Sequence, residues 1–265
     1  MCLLTPIGCV AAGEKAGFGW ITGHVWAERY RRAIWSIDTI TFIREPCERL
    51  FSEYLHKKRK MNLEDGFAQY FEKRSNVQAT YLKAMPLAAI GFVGITERYR
   101  ESLKLLKYLY GINLKPMKTN KAPLLSPSLK RQLVAVRTRC RELNTEDYVL
   151  YEQSLRLLDQ RLALMNQNLP IALGEVLSVD AHSVKGWAFW HPRFQGNHEF
   201  LSIAAKINGR SIGSVEANLD LQGSEVAECS ELAQIGFSFD VNLQQGDEVT
   251  VQVIATGQEL ARVVF

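Results

Sequence analysis

Residues 41–56 read TFIREPCERLFSEYLH, and this stretch decides the fold class. It continues an alternating, β-branched run, Asp38–Ile43 (DTITFI), which favours a strand. Pro46 then stands where a helix places its first residue, because a first-turn position has no use for the N–H that proline lacks. Cys47, Leu50, Phe51, Tyr54 and Leu55 recur at spacings of three and four, one apolar stripe on a helix. A strand therefore runs straight into a helix, with Arg44 at the junction and Ser52 about two helical turns further on. A guanidinium fork binds two oxygens at once, and free N–H groups at a helix start add partial positive charge. Such a junction suits a phosphate. An arginine paired with a carboxylate, followed by a small helix serine, satisfies the same spacing.

The alternation continues downstream. Ala88–Ile95 (AAIGFVGI) reads as a second, fully buried strand. Thr96 is placed to cap the next helix, whose stripe is Tyr99, Leu103, Leu106 and Leu109 and whose stop is Gly111. Ser126-Pro127 opens another helix. Asn144 or Thr145, with Glu146 and Asp147 in an acidic first turn, opens a last one through about Leu164. This order predicts an α/β layer fold with parallel strands.

The chain changes character where Asn166–Pro170 has the polar, proline-containing make-up of a linker. Beyond it, Glu175–Asp180, Val184–Phe189, Phe200–Ile207, Ser211–Glu216, Ile235–Val241 and Glu248–Ile254 read as strands. Asn208-Gly209 is a hairpin turn and Gln245-Gly246-Asp247 another. Short strands at this density predict an antiparallel β-sandwich. The expected organisation is an α/β domain over residues 1–164, a linker over 165–174 and a β-sandwich module over 175–265.

A chain of 265 residues has room for two cores. Its net charge of +4 is compatible with an anionic ligand but selects no partner. Cys2, Cys9, Cys47, Cys140 and Cys229 show no metal-like or C-x-x-C spacing, so buried or idle thiols are expected, with neither metal nor disulfide framework. No apolar run has the length of a membrane span. Met1–Gly13 lacks the basic start of a signal peptide, which leaves a cytoplasmic location as the expectation. The basic run His56–Lys60 (HKKRK) suits a solvated helix C-terminus, or, through Lys57 and Lys58, a docking site for an acidic glycan. No aromatic interleaving accompanies it, so nucleic acid is not an expected partner.

Arg44–Arg49 (REPCER), between a strand and Ser52, resembles the 3′-phosphate motif of sulfotransferases that use 3′-phosphoadenosine 5′-phosphosulfate (PAPS). That motif reads Arg-Asp-Pro-x-x-Arg with a serine shortly after, and Glu45 stands where the family usually has aspartate. Three more stretches resemble, in order, the branch containing heparan sulfate 2-O-sulfotransferase and the chondroitin enzymes. They are Gly23-His24-Val25, Phe92–Glu97 (FVGITE) and Glu142–Leu155 (ELNTEDYVLYEQSL), and together the resemblances cover about residues 20–160. The resemblance implies a P-loop-like sulfotransferase fold and sulfuryl transfer from PAPS to a carbohydrate hydroxyl, without a metal. It further implies Arg44 and Ser52 on the 3′-phosphate, Lys118 and Lys121 in a basic loop over the nucleotide, and His24 as the base that takes the acceptor's proton. Glu28 is a nearby carboxylate alternative to His24.

The family's first strand, its Pro-Lys-x-Gly-Thr-Ser-like loop for the 5′-phosphosulfate and the helix after it have no counterpart in this sequence. Glu14–Gly19 (EKAGFG) echoes the loop without its hydroxyl residues, and only four residues separate it from His24. The expectation is an N-terminally shortened sulfotransferase of impaired activity. The alternative is a degenerate relative that binds glycans or serves as a scaffold without catalysis. Further on, Val184–Trp190 (VKGWAFW), Ile207–Arg210 (INGR) and Ile235–Phe237 (IGF) resemble the Gly-Trp-Ala β-sandwich modules appended to bacterial surface-polysaccharide enzymes. Trp187 is expected in the core. Trp190 and His191 either pack at the strand end or form an exposed platform for a sugar.

Overall fold

The computed structural model describes residues 26–27, 38–61, 66–83, 85–114, 127–194, 200–221 and 234–265. Strand β1 (Ile40–Ile43) pairs in parallel with β2 (Phe92–Ile95), Ile40 opposite Phe92 and Ile43 opposite Ile95. Parallel neighbours need a crossover. Here it contains α1 (Pro46–Met61), α2 (Phe67–Glu72) and α3 (Val77–Leu82). All four residues of β2 are buried, as an unbroken apolar run requires. The strand is shorter than expected, because Leu87–Ala89 closes a 3-10 turn first. Helix α4 (Tyr99–Tyr110) has Arg98 at its cap position, not Thr96, and it ends at Gly111 with φ 70°, a left-handed stop suited to glycine. Helices α5 (Pro127–Leu143) and α6 (Thr145–Asn166) complete this half.

The apolar stripes explain the packing. Helix α1 buries Cys47, Leu50, Phe51 and Tyr54 against Phe67, Tyr70 and Phe71 of α2 and Leu133 and Cys140 of α5. A second cluster joins β2 to Leu105 and Leu106 of α4 and Leu158 and Leu162 of α6. Cys47 and Cys140 are free, buried thiols.

The second half is two antiparallel sheets. One has the order β3-β4-β8-β7, with β3 Ala172–Val179, β4 Ser183–Trp190, β7 Leu219–Asp220 and β8 Gln234–Asp240. The other has the order β10-β9-β5-β6, with β5 Ser202–Ile207, β6 Arg210–Glu216, β9 Glu248–Val253 and β10 Glu259–Val264. Val184, Phe237 and Phe239 of the first share one core with Ile203, Val249 and Val251 of the second. Asn208 (φ 50°) and Gly209 (φ 78°) are both left-handed, the requirement of a two-residue hairpin whose twist matches its strands. Strands β7 and β10 had no counterpart in the expected set.

Residues 165–174 contain the end of α6, the buried Ile171 and the start of β3. The two halves pack directly, for Trp187 and Phe189 of β4 and Leu173 of β3 enclose Ala89 from the turn before β2. Arg161 of α6 is fully buried and donates to the carbonyls of Ala88 (3.3 Å), Ile90 (3.0 Å) and Gly91 (3.2 Å). The Gly-Trp-Ala signature thus has a packing reason. Trp187 faces the helical half, Ala188 faces the other sheet, and a Cβ on Gly186 would stand 2.2 Å from the Glu175 carbonyl.

Candidate functional site

Arg44 directly follows β1 and precedes α1 by two residues. Its backbone is held by Gln78 of α3, whose Oε1 accepts the Arg44 N–H (3.0 Å) and whose Nε2 donates to the Arg44 carbonyl (2.9 Å). The guanidinium is partly exposed, and its Nε lies 3.8 Å from Oε1 of Glu97, the residue that ends FVGITE. Glu97 also accepts the Glu45 N–H (3.1 Å) and, through Oε2, the Tyr151 hydroxyl (3.4 Å).

Glu45 begins α1. Its carboxylate accepts the Glu48 N–H at 2.6 Å and the Tyr148 hydroxyl, the side-chain capping that a helix start needs. Burial first and then Glu45 push the Tyr148 phenol well above its ordinary value. Burial and Glu97 push that of Tyr151 up to about 12. These bonds revise one expectation. The amides of Arg44, Glu45 and Glu48 are satisfied within the chain, so the junction offers the guanidinium, and not a row of free N–H groups, as a donor to an anion.

Ser52 sits on the second turn of α1, half-buried and off the stripe that faces the core. With a rise of about 1.5 Å per residue it lies about 9 Å along the helix from Pro46. An anion touching both would need the full length of the Arg44 side chain. Arg49, the second arginine of REPCER, turns inward. Its Nη1 donates to Glu53 (3.1 Å), while Nε and Nη2 are buried without partners.

Lys57 pairs with Glu53 (3.0 Å) and lies over the Tyr70 ring, in a cleft of about 720 Å³ that Arg74, Thr80, Tyr81 and Trp26 also line. Lys58 donates to the Tyr54 hydroxyl (3.0 Å), and Arg59 and Lys60 are exposed. A second cleft, about 760 Å³, runs between α6 and β10 beside Arg156 and Arg262. Arg44 lines neither cleft.

At the end of β4, Trp190 is half-buried against the sandwich core. His191 is only 1% exposed and meets the Tyr110 ring edge-on, so the exposed Trp190–His191 platform does not form. His24, Glu28, Lys118, Lys121 and the Glu14–Gly19 segment lie outside the described residues. Among the described residues, no group of three His, Cys, Asp or Glu side chains is arranged to hold a metal, and no helix is long and apolar enough to cross a membrane.

Sequence reasoning did not single out Gln78 or the bonding role of Tyr148. The only signal for Tyr148 was its place in the Glu142–Leu155 stretch, and Gln78 carried none. No protein-family model, curated protein or solved structure matches this chain.

Proposed function

We propose that this chain is a PAPS-dependent carbohydrate O-sulfotransferase, its transfer impaired because Glu14–Gly19 lacks the hydroxyl residues of a 5′-phosphosulfate loop, in which Arg44 and Ser52 hold the nucleotide's 3′-phosphate. The observation that carries the reading is Arg44 itself, at the C-terminal end of a parallel strand and beside a helix start, its backbone fixed and its guanidinium partly exposed. In α/β folds ligands bind beyond the carboxyl ends of parallel strands. The four resemblances in order supply the chemistry. An acceptor hydroxyl oxygen attacks sulfur, the bond from sulfur to the nucleotide's phosphate oxygen breaks, and adenosine 3′,5′-bisphosphate leaves. By the same resemblance His24 takes the hydroxyl proton, and Lys118 and Lys121 cover the nucleotide. Positioning and charge stabilisation do most of the work in a transfer of this type.

Calorimetric titration with adenosine 3′,5′-bisphosphate tests the assignment. Arg44→Ala is expected to weaken binding by about 1.5–3 kcal/mol, the range for a hydrogen bond to a charged group. Unchanged affinity in a folded variant overturns it. A second reading, a non-catalytic glycan-binding or scaffold protein, is favoured by Glu97, whose carboxylate already faces Arg44 as in a structural ion pair. Under that reading Arg44→Ala changes folding stability and no nucleotide affinity.

A further inference from the structure

We infer that Gln78 is a positioning residue for Arg44, setting the direction in which the guanidinium meets its anion; this rests on the reading of Arg44 as the phosphate contact. The parallel ladder between β1 and β2 ends at Ile43 and Ile95. Across it the carbonyls of Thr39 and Ile43 accept the N–H groups of Phe92 and Thr96, so by the alternation of a strand the N–H and C=O of Arg44 point away from β2, and a buried backbone group left unpaired is costly. The Gln78 amide takes both, at 3.0 and 2.9 Å, the pair of bonds a neighbouring strand would have made. One planar group bonded to both sides of a residue fixes its peptide planes, and with them the direction of its Cβ.

Gln78 is itself held. It is 8% exposed, in the first turn of α3. Asp147 of α6 accepts the backbone N–H groups of Gln78 (3.3 Å) and Ala79 (2.7 Å). Asn76, just before α3, donates its N–H to Oδ1 of Asn144 (3.0 Å), and its own Oδ1 accepts the N–H groups of Glu146 (3.2 Å) and Asp147 (3.3 Å). The mount therefore runs from α6 through α3 to the strand end. The end of β2 offers a contrast. There Ser102 closes the Ile95 N–H (2.9 Å) and C=O (3.1 Å) in the same way, but Ile95 is fully buried and presents nothing to a ligand. At Arg44 the same device aims a partly exposed cation.

The test is a double-mutant cycle read by calorimetric binding of adenosine 3′,5′-bisphosphate to the full chain. Its members are the wild type, Arg44→Ala, Gln78→Glu and the double variant. Gln78→Glu keeps an acceptor for the Arg44 N–H and, when ionised, loses the donor to the Arg44 carbonyl. The expected result is an approximately tenfold loss of affinity for Gln78→Glu, the scale of one hydrogen bond's net contribution. The double variant should bind no more weakly than Arg44→Ala alone, because Gln78 acts only through Arg44. Losses that add, or wild-type affinity in Gln78→Glu, overturn the inference and leave the Arg44 assignment standing. Absence of binding by the wild type, or full binding by Arg44→Ala, removes the assignment and the inference with it. If Gln78→Glu does not fold, Gln78→Asn, which retracts the amide by one carbon, gives the same readout.

Discussion

Glu45 shows how a single side chain serves the strand–helix junction. Its carboxylate reaches both the Glu48 N–H and the Tyr148 hydroxyl, so one residue caps α1 and fastens it to α6. Glu45→Ala removes the cap and leaves the buried Tyr148 hydroxyl without its acceptor. The expected cost is about 2 kcal/mol, from a lost helix cap and a charged hydrogen bond. Tyr148→Phe takes away one bond and should cost about 1 kcal/mol. Urea unfolding midpoints measure both, and equal midpoints for wild type and Glu45→Ala would remove Glu45 from this role. The junction's position was legible because proline, strand run and apolar stripe are all local signals. Its partners were not. Gln78, Glu97 and Tyr148 lie 34, 52 and 103 residues from the groups they bind, and periodicity carries no record of such pairings.

At the scale of elements, α3 and α6 cap one another. Asp147 of α6 accepts two N–H groups from α3, and Asn76 before α3 accepts two from α6. A six-residue helix such as α3 has little stability of its own. Asp147→Ala should therefore cost about 2–3 kcal/mol and expose the amides of Gln78 and Ala79 first, as hydrogen exchange would report. Asp147→Asn retains an acceptor and should cost less. Exchange rates at Gln78 and Ala79 unaltered in Asp147→Ala would contradict the exchange of caps. The acidic first turn of α6 was legible in the sequence, where it matched that helix's own dipole. In the fold Asp147 serves the neighbouring helix instead, because Asn144 and Asn76 place the two helix starts together. In the other half, hairpin chemistry at Asn208-Gly209 was readable. Strand β10 was not, since its Glu259 and Arg262 interrupt the apolar alternation that marks a strand.

Across the whole molecule, the helical half and the sandwich meet through the Tyr110–His191 contact and the Trp187–Phe189 face. Burial first, then the charges of Arg161 and Arg193, push the His191 imidazole down to about 4. The unfolded chain, with an ordinary histidine near 6.5, takes up that proton first as pH falls. This contribution to stability is complete above about pH 6.5 and is lost progressively toward pH 4, a total of about 3 kcal/mol. His191→Phe should flatten the fall in urea midpoint between those pH values, and an unchanged slope would show that the acid sensitivity arises at other groups. The polar, proline-containing stretch that announced a linker carries no information about which faces beyond it are apolar. The packing of β4 on Ala89 was therefore invisible until the strands were placed. Whether Arg44 holds a 3′-phosphate decides the function of the whole chain. It is tested most directly by titrating the full chain with adenosine 3′,5′-bisphosphate and with adenosine 5′-monophosphate, which lacks the 3′-phosphate. The bisphosphate is expected to bind at least about tenfold more tightly, and Arg44→Ala to remove most of that difference, as for a charge-assisted contact to one phosphate. Equal affinity for the two nucleotides, or a preference that survives Arg44→Ala, would contradict the assignment.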